Sequence, residues 1–215
     1  MKGIKLFLFF FTLLFIASCS NEKQTAPVET AVEDKLTKLL ESAPEEIRAE
    51  ITNEIQGELR REISAEINSR ILSYANSREH FFAFINAVSP APGLTGRCDT
   101  LLTVDSISGN GIGTTIHWFT ALQSHCLNPE TNEFSDGEGV FTASGNGDQL
   151  FQAYAGNLRP TVFQNIFIVN GTTNFTGGTG QFAGATGGGA VIGLLHVTSG
   201  KLALIHTGTL NIINP

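Results

Sequence analysis

The hydrophobic and polar positions of this chain follow three different patterns in three successive parts. Residues 6–16 form one apolar run that only Thr12 interrupts. Isoleucine or leucine then recurs at every fourth position from Ile47 to Ile71. After Gly93, short runs rich in Val, Ile, Thr and Phe alternate with Gly, Asn and Asp, which is typical of strands separated by turns. We therefore expect a targeting segment, a helical segment and an all-β domain, in that order.

The middle part predicts a helical stalk over residues 31–78. Pro44 stands where a helix can begin, with Ser42 as its N-cap residue. A strict spacing of four turns the apolar stripe by about 40° per step, because an α-helix has about 3.6 residues per turn. A long left-handed coiled coil needs an average spacing of about 3.5, so the stripe does not favour one. We interpret the segment as a solvated spacer; the alternative is a helix that wraps a partner or self-associates, as a coiled coil does, over a short length.

The last part predicts strands at roughly ten-residue intervals with glycine-rich turns between them, as in β-barrels and β-sandwiches. Seven runs carry this pattern, at 99–105, 114–122, 139–144, 149–157, 162–169, 189–198 and 201–212. We expect an all-β domain without helices.

The last two of these strands predict a hairpin with a two-residue turn at 199–200. Thr198 then pairs with Lys201, and the apolar side chains of both strands share one face, which should point inward. On that register His206 points into the domain and His196 points to solvent. The two histidines should therefore not share a metal ion.

The first eighteen residues predict a secretory signal, because a basic start precedes an apolar run that is too short to cross a bilayer. The four residues Ile16 to Cys19 then resemble the bacterial lipobox, in which the cysteine is lipidated and becomes the first residue of the mature chain. We expect a lipid anchor on Cys19 and an exported protein. Because Ser20 follows the cysteine, we expect the outer membrane rather than the inner one. The alternative is an ordinary signal peptide with a chance cysteine.

Charge is distributed unevenly along the chain, which has a formal net charge of −7. Residues 22–79 hold 13 acidic and 8 basic side chains, whereas residues 80–215 hold only 7 acidic and 3 basic ones. An acidic chain without a Lys/Arg cluster lacks the basic stripe that neutralises phosphates, which excludes nucleic acid as a partner. The low charge and the many Phe residues of the second part favour a domain that binds something small and apolar.

Two cysteines remain once Cys19 is assigned to the lipid. Cys98 and Cys126 in an exported domain can form only one internal bridge, which predicts a structural disulfide. The alternative is a reactive thiol, since Arg97 directly precedes Cys98.

A glycine-rich segment near the end of the chain carries a family resemblance. Residues 177–187 read Gly-Gly-Thr-Gly-Gln-Phe-Ala-Gly-Ala-Thr-Gly, and Asn-Gly-Asp-Gln-Leu precedes them at 146–150. This order resembles the bacterial relatives of the allene oxide cyclase and dirigent barrels over residues 97–213. The resemblance implies an eight-stranded antiparallel closed β-barrel in which Phe182 and Ala185 pack inward. Barrels of this size are filled by side chains or hold one small ligand.

Four side chains of the expected barrel are candidates for contacting a ligand: Trp118, Asp148, Tyr154 and His206. Each also has a structural interpretation, since Asp148 follows a turn glycine and an inward aromatic or His is commonly a core residue. We interpret the protein as a lipoprotein whose barrel binds a small apolar ligand or acts as a scaffold. The alternative, implied by the resemblance, is a cyclase-like, isomerase-like or dirigent-like enzyme acting on a hydrophobic substrate. In that case Asp148 and His206 are the acid and base candidates.

The remaining patterns predict neither a metal ion nor a cofactor. The five histidines show no ligand spacing. Residues 178–183 match a loose dinucleotide fingerprint, but that motif works only where a strand leads into a helix, and none is expected there. The predicted organisation is a signal peptide at 1–18, a flexible tether at 19–30, a helical stalk at 31–78, a linker at 79–96 and the β-barrel at 97–215.

Overall fold

A computed structural model describes residues 37–38, 40–50, 80–94, 97–98 and 101–213 of the chain. Its regular elements are mostly strands. They are helix α1 (Glu45–Glu50), strands β1 (His80–Val88), β2 (Leu102–Gly113), β3 (His117–Leu127), β4 (Glu133–Ala143), β5 (Gln149–Pro160), β6 (Ile166–Gly178), β7 (Thr186–His196) and β8 (Lys201–Asn211), with a 3-10 turn at Gly180–Phe182.

The eight strands close into an antiparallel barrel in which each strand pairs with its neighbours in sequence. β1 also pairs with β8, with His80 opposite Thr209 and Val88 opposite Lys201, and this pairing closes the sheet. Closure removes the edge strands whose backbone groups would otherwise be left unpaired. The predicted eight-stranded antiparallel closed β-barrel is confirmed.

Strand β1 lies in the segment that the sequence predicts to be a linker, 79–96, so the prediction that the barrel begins at Arg97 is wrong. Phe81 points into the barrel, whereas Phe82 and Phe84 pack on the outside of the sheet. A strand that is covered on both faces reads as a continuous apolar run and lacks the alternation of a half-exposed strand. The pattern alone therefore does not reveal β1.

The segment that precedes the barrel packs against the outside of the sheet. Leu40, Ala43 and Ile47 are buried there, and Glu46 forms an ion pair with Lys201 of β8 at an N–O distance of 2.6 Å. Residues 40–50 therefore do not form a solvated spacer, and that interpretation is wrong for this part of the predicted stalk. The three buried side chains share a cluster with outward-facing residues of β6, β7 and β8, namely Ile166, Ile168, Ile192, Leu194, Ala203 and Ile205.

Helix α1 begins directly after Pro44, as predicted, but Ser42 lies within the preceding helical turn and is not its N-cap residue. No helix among the described residues is long and apolar enough to cross a membrane. Several predicted features lie outside the described residues: the signal peptide at 1–18, Cys19, the tether at 19–30 and the stalk beyond residue 50.

The hairpin between β7 and β8 has a longer turn than the sequence predicts. His196 pairs with Lys201, so the turn covers residues 197–200, and the predicted pairing of Thr198 with Lys201 is wrong. The difference is a shift of two residues, which keeps every side chain on its face because strands repeat with period two. His206 points inward as predicted.

His196 points away from the barrel axis, but it is buried, so the prediction that it faces solvent is wrong. The N-terminal segment lies over this outer face, since α1 contacts β7. The imidazole Nδ1 of His196 also lies 2.8 Å from the hydroxyl of Ser199. On this side of the barrel, a side chain that points outward is therefore covered by the N-terminal segment and does not face solvent.

Candidate functional site

Half of the barrel interior is filled by aromatic and aliphatic side chains. The rings of Phe81 and Phe175 lie 5.0 Å apart, and those of Phe119 and Phe141 lie 4.8 Å apart. Phe182 is fully buried beside them. Interiors packed in this way exclude ligands, so this end of the barrel is structural.

The glycine-rich segment closes the filled end, and Asp148 holds it in place. The carboxylate of Asp148 accepts a hydrogen bond from the backbone N–H of Gln181 at 3.0 Å and another from the side chain of Asn146 at 2.7 Å. Gly180 has a φ of +53°, and a Cβ there would collide with the Asp148 carboxylate. This arrangement buries Phe182 and Ala185, as predicted.

The other half of the barrel encloses a cavity of about 390 Å³. Its walls include aliphatic side chains from β6, β7 and β8, among them Val169, Val191 and Leu204. Residues 89–92 and the turn at 197–200 line one side of its mouth, where the N–H of Ser89 donates a hydrogen bond to the carbonyl of Gly200. Among the described residues that line the cavity, none is Lys, Arg, Asp or Glu. A concave, mostly apolar space with few polar groups is the usual form of a small-molecule site.

Glycines on the inner face keep this half of the barrel open. A Cβ at Gly156 would come within 2.6 Å of the Phe134 ring, and a Cβ at Gly171 within 3.2 Å of the same ring. A Cβ at Gly137 would come within 2.6 Å of the Tyr154 ring. The two aromatic side chains therefore lie against glycines of the wall, which leaves room nearer the axis.

His206 is a polar side chain in this apolar surrounding. It lines the cavity, it is 1% exposed, and neither of its ring nitrogens has a hydrogen-bond partner. Burial disfavours the charged ring and lowers the pKa of His206 to about 3. Its ring stands nearly perpendicular to that of Phe141, with centroids 5.4 Å apart. The imidazole is therefore neutral and carries one unused donor and one unused acceptor.

A second polar group in the lining is the pair formed by His125 and Tyr154, whose Nδ1 and hydroxyl lie 3.1 Å apart. Burial, and secondarily the charge of Arg97, lower the pKa of His125 to about 4. Burial raises the pKa of the Tyr154 hydroxyl above its ordinary value. Both side chains are therefore neutral near pH 7.

The structure brings together two of the four predicted ligand contacts. Tyr154 and His206 line the cavity, whereas Asp148 and Trp118 do not. The acid and base pairing of Asp148 with His206 is therefore not present, because Asp148 holds the closed end. Trp118 is 65% exposed on the outer wall, since His117 adopts a φ of +56° and the turn residues before it do not continue the alternation of β3.

His125, Gln123 and Phe134 also line the cavity, and the sequence pattern did not predict them as site residues. Phe134 belongs to β4, which begins earlier than the strand predicted at 139–144. β3 also extends to Leu127, five residues beyond the predicted end. Side chains alternate between the two faces of a strand, so Gln123 and His125 lie on the same face as the inward-pointing Ala121. A predicted β3 that continued to Leu127 would therefore have included both residues on the inner face.

The predicted disulfide between Cys98 and Cys126 is present, with 5.5 Å between the Cα atoms. It ties the connection before β2 to the outer face of β3. The neighbouring Arg97 donates to the hydroxyl of Ser124 and to the backbone carbonyl of Asp136. These contacts fix the strand ends that surround the cavity mouth.

The chemistry of the cavity favours binding over proton transfer. A general acid or base works best with a pKa near the operating pH. The two histidines that line the cavity have pKa values of about 3 and about 4, and the tyrosine shifts in the opposite direction. Within the described ranges, no three His, Cys, Asp or Glu residues come together as a metal site would require.

No protein-family model, curated protein or solved structure matches this chain. The geometry of the cavity is therefore the basis for a functional assignment.

Proposed function

We propose that this protein is a lipid-anchored, exported bacterial protein whose barrel binds a small, mostly apolar ligand. The observation that carries the binding proposal is the cavity of about 390 Å³, which is walled by aliphatic side chains in the half of the barrel opposite the glycine-rich segment. A barrel that served only as a scaffold would gain stability from filling this space, because empty interior volume loses packing contacts. The cavity thus supports ligand binding over a purely structural role.

The anchor is supported by the sequence around Cys19. A lipidated first residue would hold the barrel at the membrane, and we propose the outer membrane as its location because Ser20 follows. Export from a bacterial host followed by mass spectrometry of the N-terminal peptide tests this. We expect a diacylglyceryl cysteine at position 19 and its loss in the variant Cys19→Ala. An unmodified thiol at Cys19 in the membrane fraction would contradict the proposal.

We also propose a distant relationship to the allene oxide cyclase and dirigent barrels. Its support is the segment 177–187, which closes one end of an eight-stranded barrel, and the burial of Phe182 within it. The shifted pKa values of the cavity residues favour binding over acid–base catalysis by these groups.

Ligand binding is tested with N-phenyl-1-naphthylamine, an uncharged apolar probe whose fluorescence rises in apolar surroundings. The protein is the chain from Ser20 to Pro215, which contains every described residue and lacks the lipid. We expect saturable binding of one probe per chain. Native mass spectrometry of the same preparation reports any small molecule that co-purifies.

A matched pair of substitutions locates the probe. Val191→Trp places a large ring in the cavity, because Val191 is buried and points inward beside His206. Val162→Trp makes the same change at an exposed position outside the cavity. We expect Val191→Trp to weaken probe binding about tenfold or more and Val162→Trp to leave it unchanged, provided both variants keep the circular dichroism of the parent. Equal binding by both, or no saturable binding and no co-purified molecule, would contradict the proposal.

A further inference from the structure

Three properties of the cavity bear on the polar part of its ligand. Among the described residues of the lining, His206 is the one with buried polar atoms that lack a partner. The lining residues that flank it on β7 and β8, Val191 and Leu204, offer no hydrogen-bonding side chain. The polar pair of His125 and Tyr154 already shares its own hydrogen bond. Within the described lining, the fully buried polar atoms that lack a partner therefore lie at one place, on the imidazole of His206 inside the apolar part of the cavity.

The uncharged lining limits which polar groups can reach this place. A carboxylate or an ammonium group that enters an apolar space loses its hydration, and the described lining supplies no opposite charge to replace it. A neutral imidazole offers one N–H donor and one acceptor nitrogen on opposite sides of its ring. An ether or a carbonyl oxygen satisfies only the N–H, whereas a hydroxyl group satisfies either nitrogen.

From these contacts we infer that the ligand is an uncharged apolar alcohol whose hydroxyl group hydrogen-bonds to the imidazole of His206. The inference rests on the proposed function and makes His206 the residue that selects among apolar ligands. The aliphatic wall contacts the hydrocarbon part of the ligand, and His206 forms a hydrogen bond with a hydroxyl group at the ligand's buried end. A buried imidazole left without a partner is unfavourable, and a hydroxyl group can pair with whichever nitrogen faces the ligand, whereas an ether can pair only with the N–H. An alcohol therefore binds more tightly than an ether of the same size.

The test is displacement of bound N-phenyl-1-naphthylamine from the chain Ser20–Pro215 by three compounds of similar length. They are octan-1-ol, its size-matched ether heptyl methyl ether, and octanoate at about pH 8, where the carboxylate is charged. We expect octan-1-ol to displace the probe at concentrations about five- to tenfold lower than the ether and about tenfold or more lower than octanoate.

Two variants assign this preference to His206. His206→Leu keeps a side chain of similar size without polar atoms and should bring octan-1-ol and the ether to within about twofold of each other. His206→Gln retains a donor and an acceptor and should keep the preference for the alcohol. His117→Asn is the control, because His117 is exposed at the other end of β3, and it should behave as the parent.

The outcomes separate this inference from the proposed function. Probe binding without an alcohol preference, or a preference that survives in His206→Leu, overturns the inference and leaves the binding cavity in place. Octanoate that binds as tightly as octan-1-ol overturns it as well. Failure of the parent chain to bind the probe, with no small molecule co-purifying, overturns the proposed function and the inference together. A co-purified molecule without a hydroxyl group overturns the inference alone.

Discussion

Replacing His206 should change how the stability of the protein depends on pH. In the folded protein burial lowers the pKa of His206 to about 3, from an ordinary value of 6.5. Below pH 6.5 the unfolded chain therefore binds a proton that the folded chain does not bind. Since stability falls as pH falls wherever the unfolded state binds more protons, this residue destabilises the fold progressively between pH 6.5 and about pH 3.

The magnitude follows from the width of that window. Each pH unit below the unfolded pKa costs about 1.4 kcal/mol per histidine, so His206 should lower the free energy of unfolding by roughly 2 kcal/mol between about pH 7.5 and about pH 5. His125, with a folded pKa of about 4, adds in the same direction. In His206→Leu the His206 contribution disappears, and the slope of stability against pH should fall by up to about 1.4 kcal/mol per pH unit.

Urea unfolding followed by tryptophan fluorescence, at several pH values from about 7.5 to about 5, measures this difference while most carboxylates stay ionised. His117→Asn serves as the control, because the exposed His117 side chain remains in solvent in both states. If the parent and His206→Leu lose stability in parallel as the pH falls, His206 is not a neutral imidazole buried in the folded protein. His206→Leu should be no less stable than the parent near pH 7, since it removes a buried polar group without partners.

Three further predictions test the fold around the cavity. Ile47→Ala should lower the free energy of unfolding by about 2 kcal/mol or more in urea, because Ile47 is fully buried against the outer wall; no change would mean that the segment does not pack there. Removing the disulfide in the double variant Cys98→Ser, Cys126→Ser should lower stability by roughly 3–4 kcal/mol, the chain-entropy value for a separation of 28 residues, measured by thermal unfolding. Asp148→Ala should lower stability by about 1–2 kcal/mol, through the lost hydrogen bond to Gln181, without weakening probe binding in the cavity; a loss of binding instead would place Asp148 in the ligand site.

The closed barrel could be predicted from the sequence because strands and turns alternate regularly, and the last hairpin shows why. An error of two residues in its register did not change which faces point inward, so His206 was still assigned to the interior. Period-two alternation tolerates such errors. The inward positions of Phe182 and Ala185 were likewise predictable from the family resemblance of the segment that contains them.

Other features depend on contacts between distant parts of the chain or on local backbone geometry. His196 is buried beneath the N-terminal segment on the outer wall, and the outward-facing Phe82 and Phe84 of β1 pack against the same outer cluster, which the local pattern does not show. Positive φ angles at Ser106 and Asp136 accompany bulges that reverse the alternation along β2 and β4. His125 could not be assigned to the inner face because the predicted strand ended at residue 122, before it. The cavity arises where glycines of one strand lie opposite large side chains of the neighbouring strand. Predicting it requires the pairing register of those strands, which the sequence pattern does not provide.

A crystal structure of the chain from Ser20 to Pro215 with bound N-phenyl-1-naphthylamine would show whether the barrel holds a ligand. We expect an eight-stranded closed barrel with the probe inside its open half, in contact with Val191 and Leu204. A barrel whose interior is filled by its own side chains along its whole length, or a probe bound only on the outer wall, would contradict it.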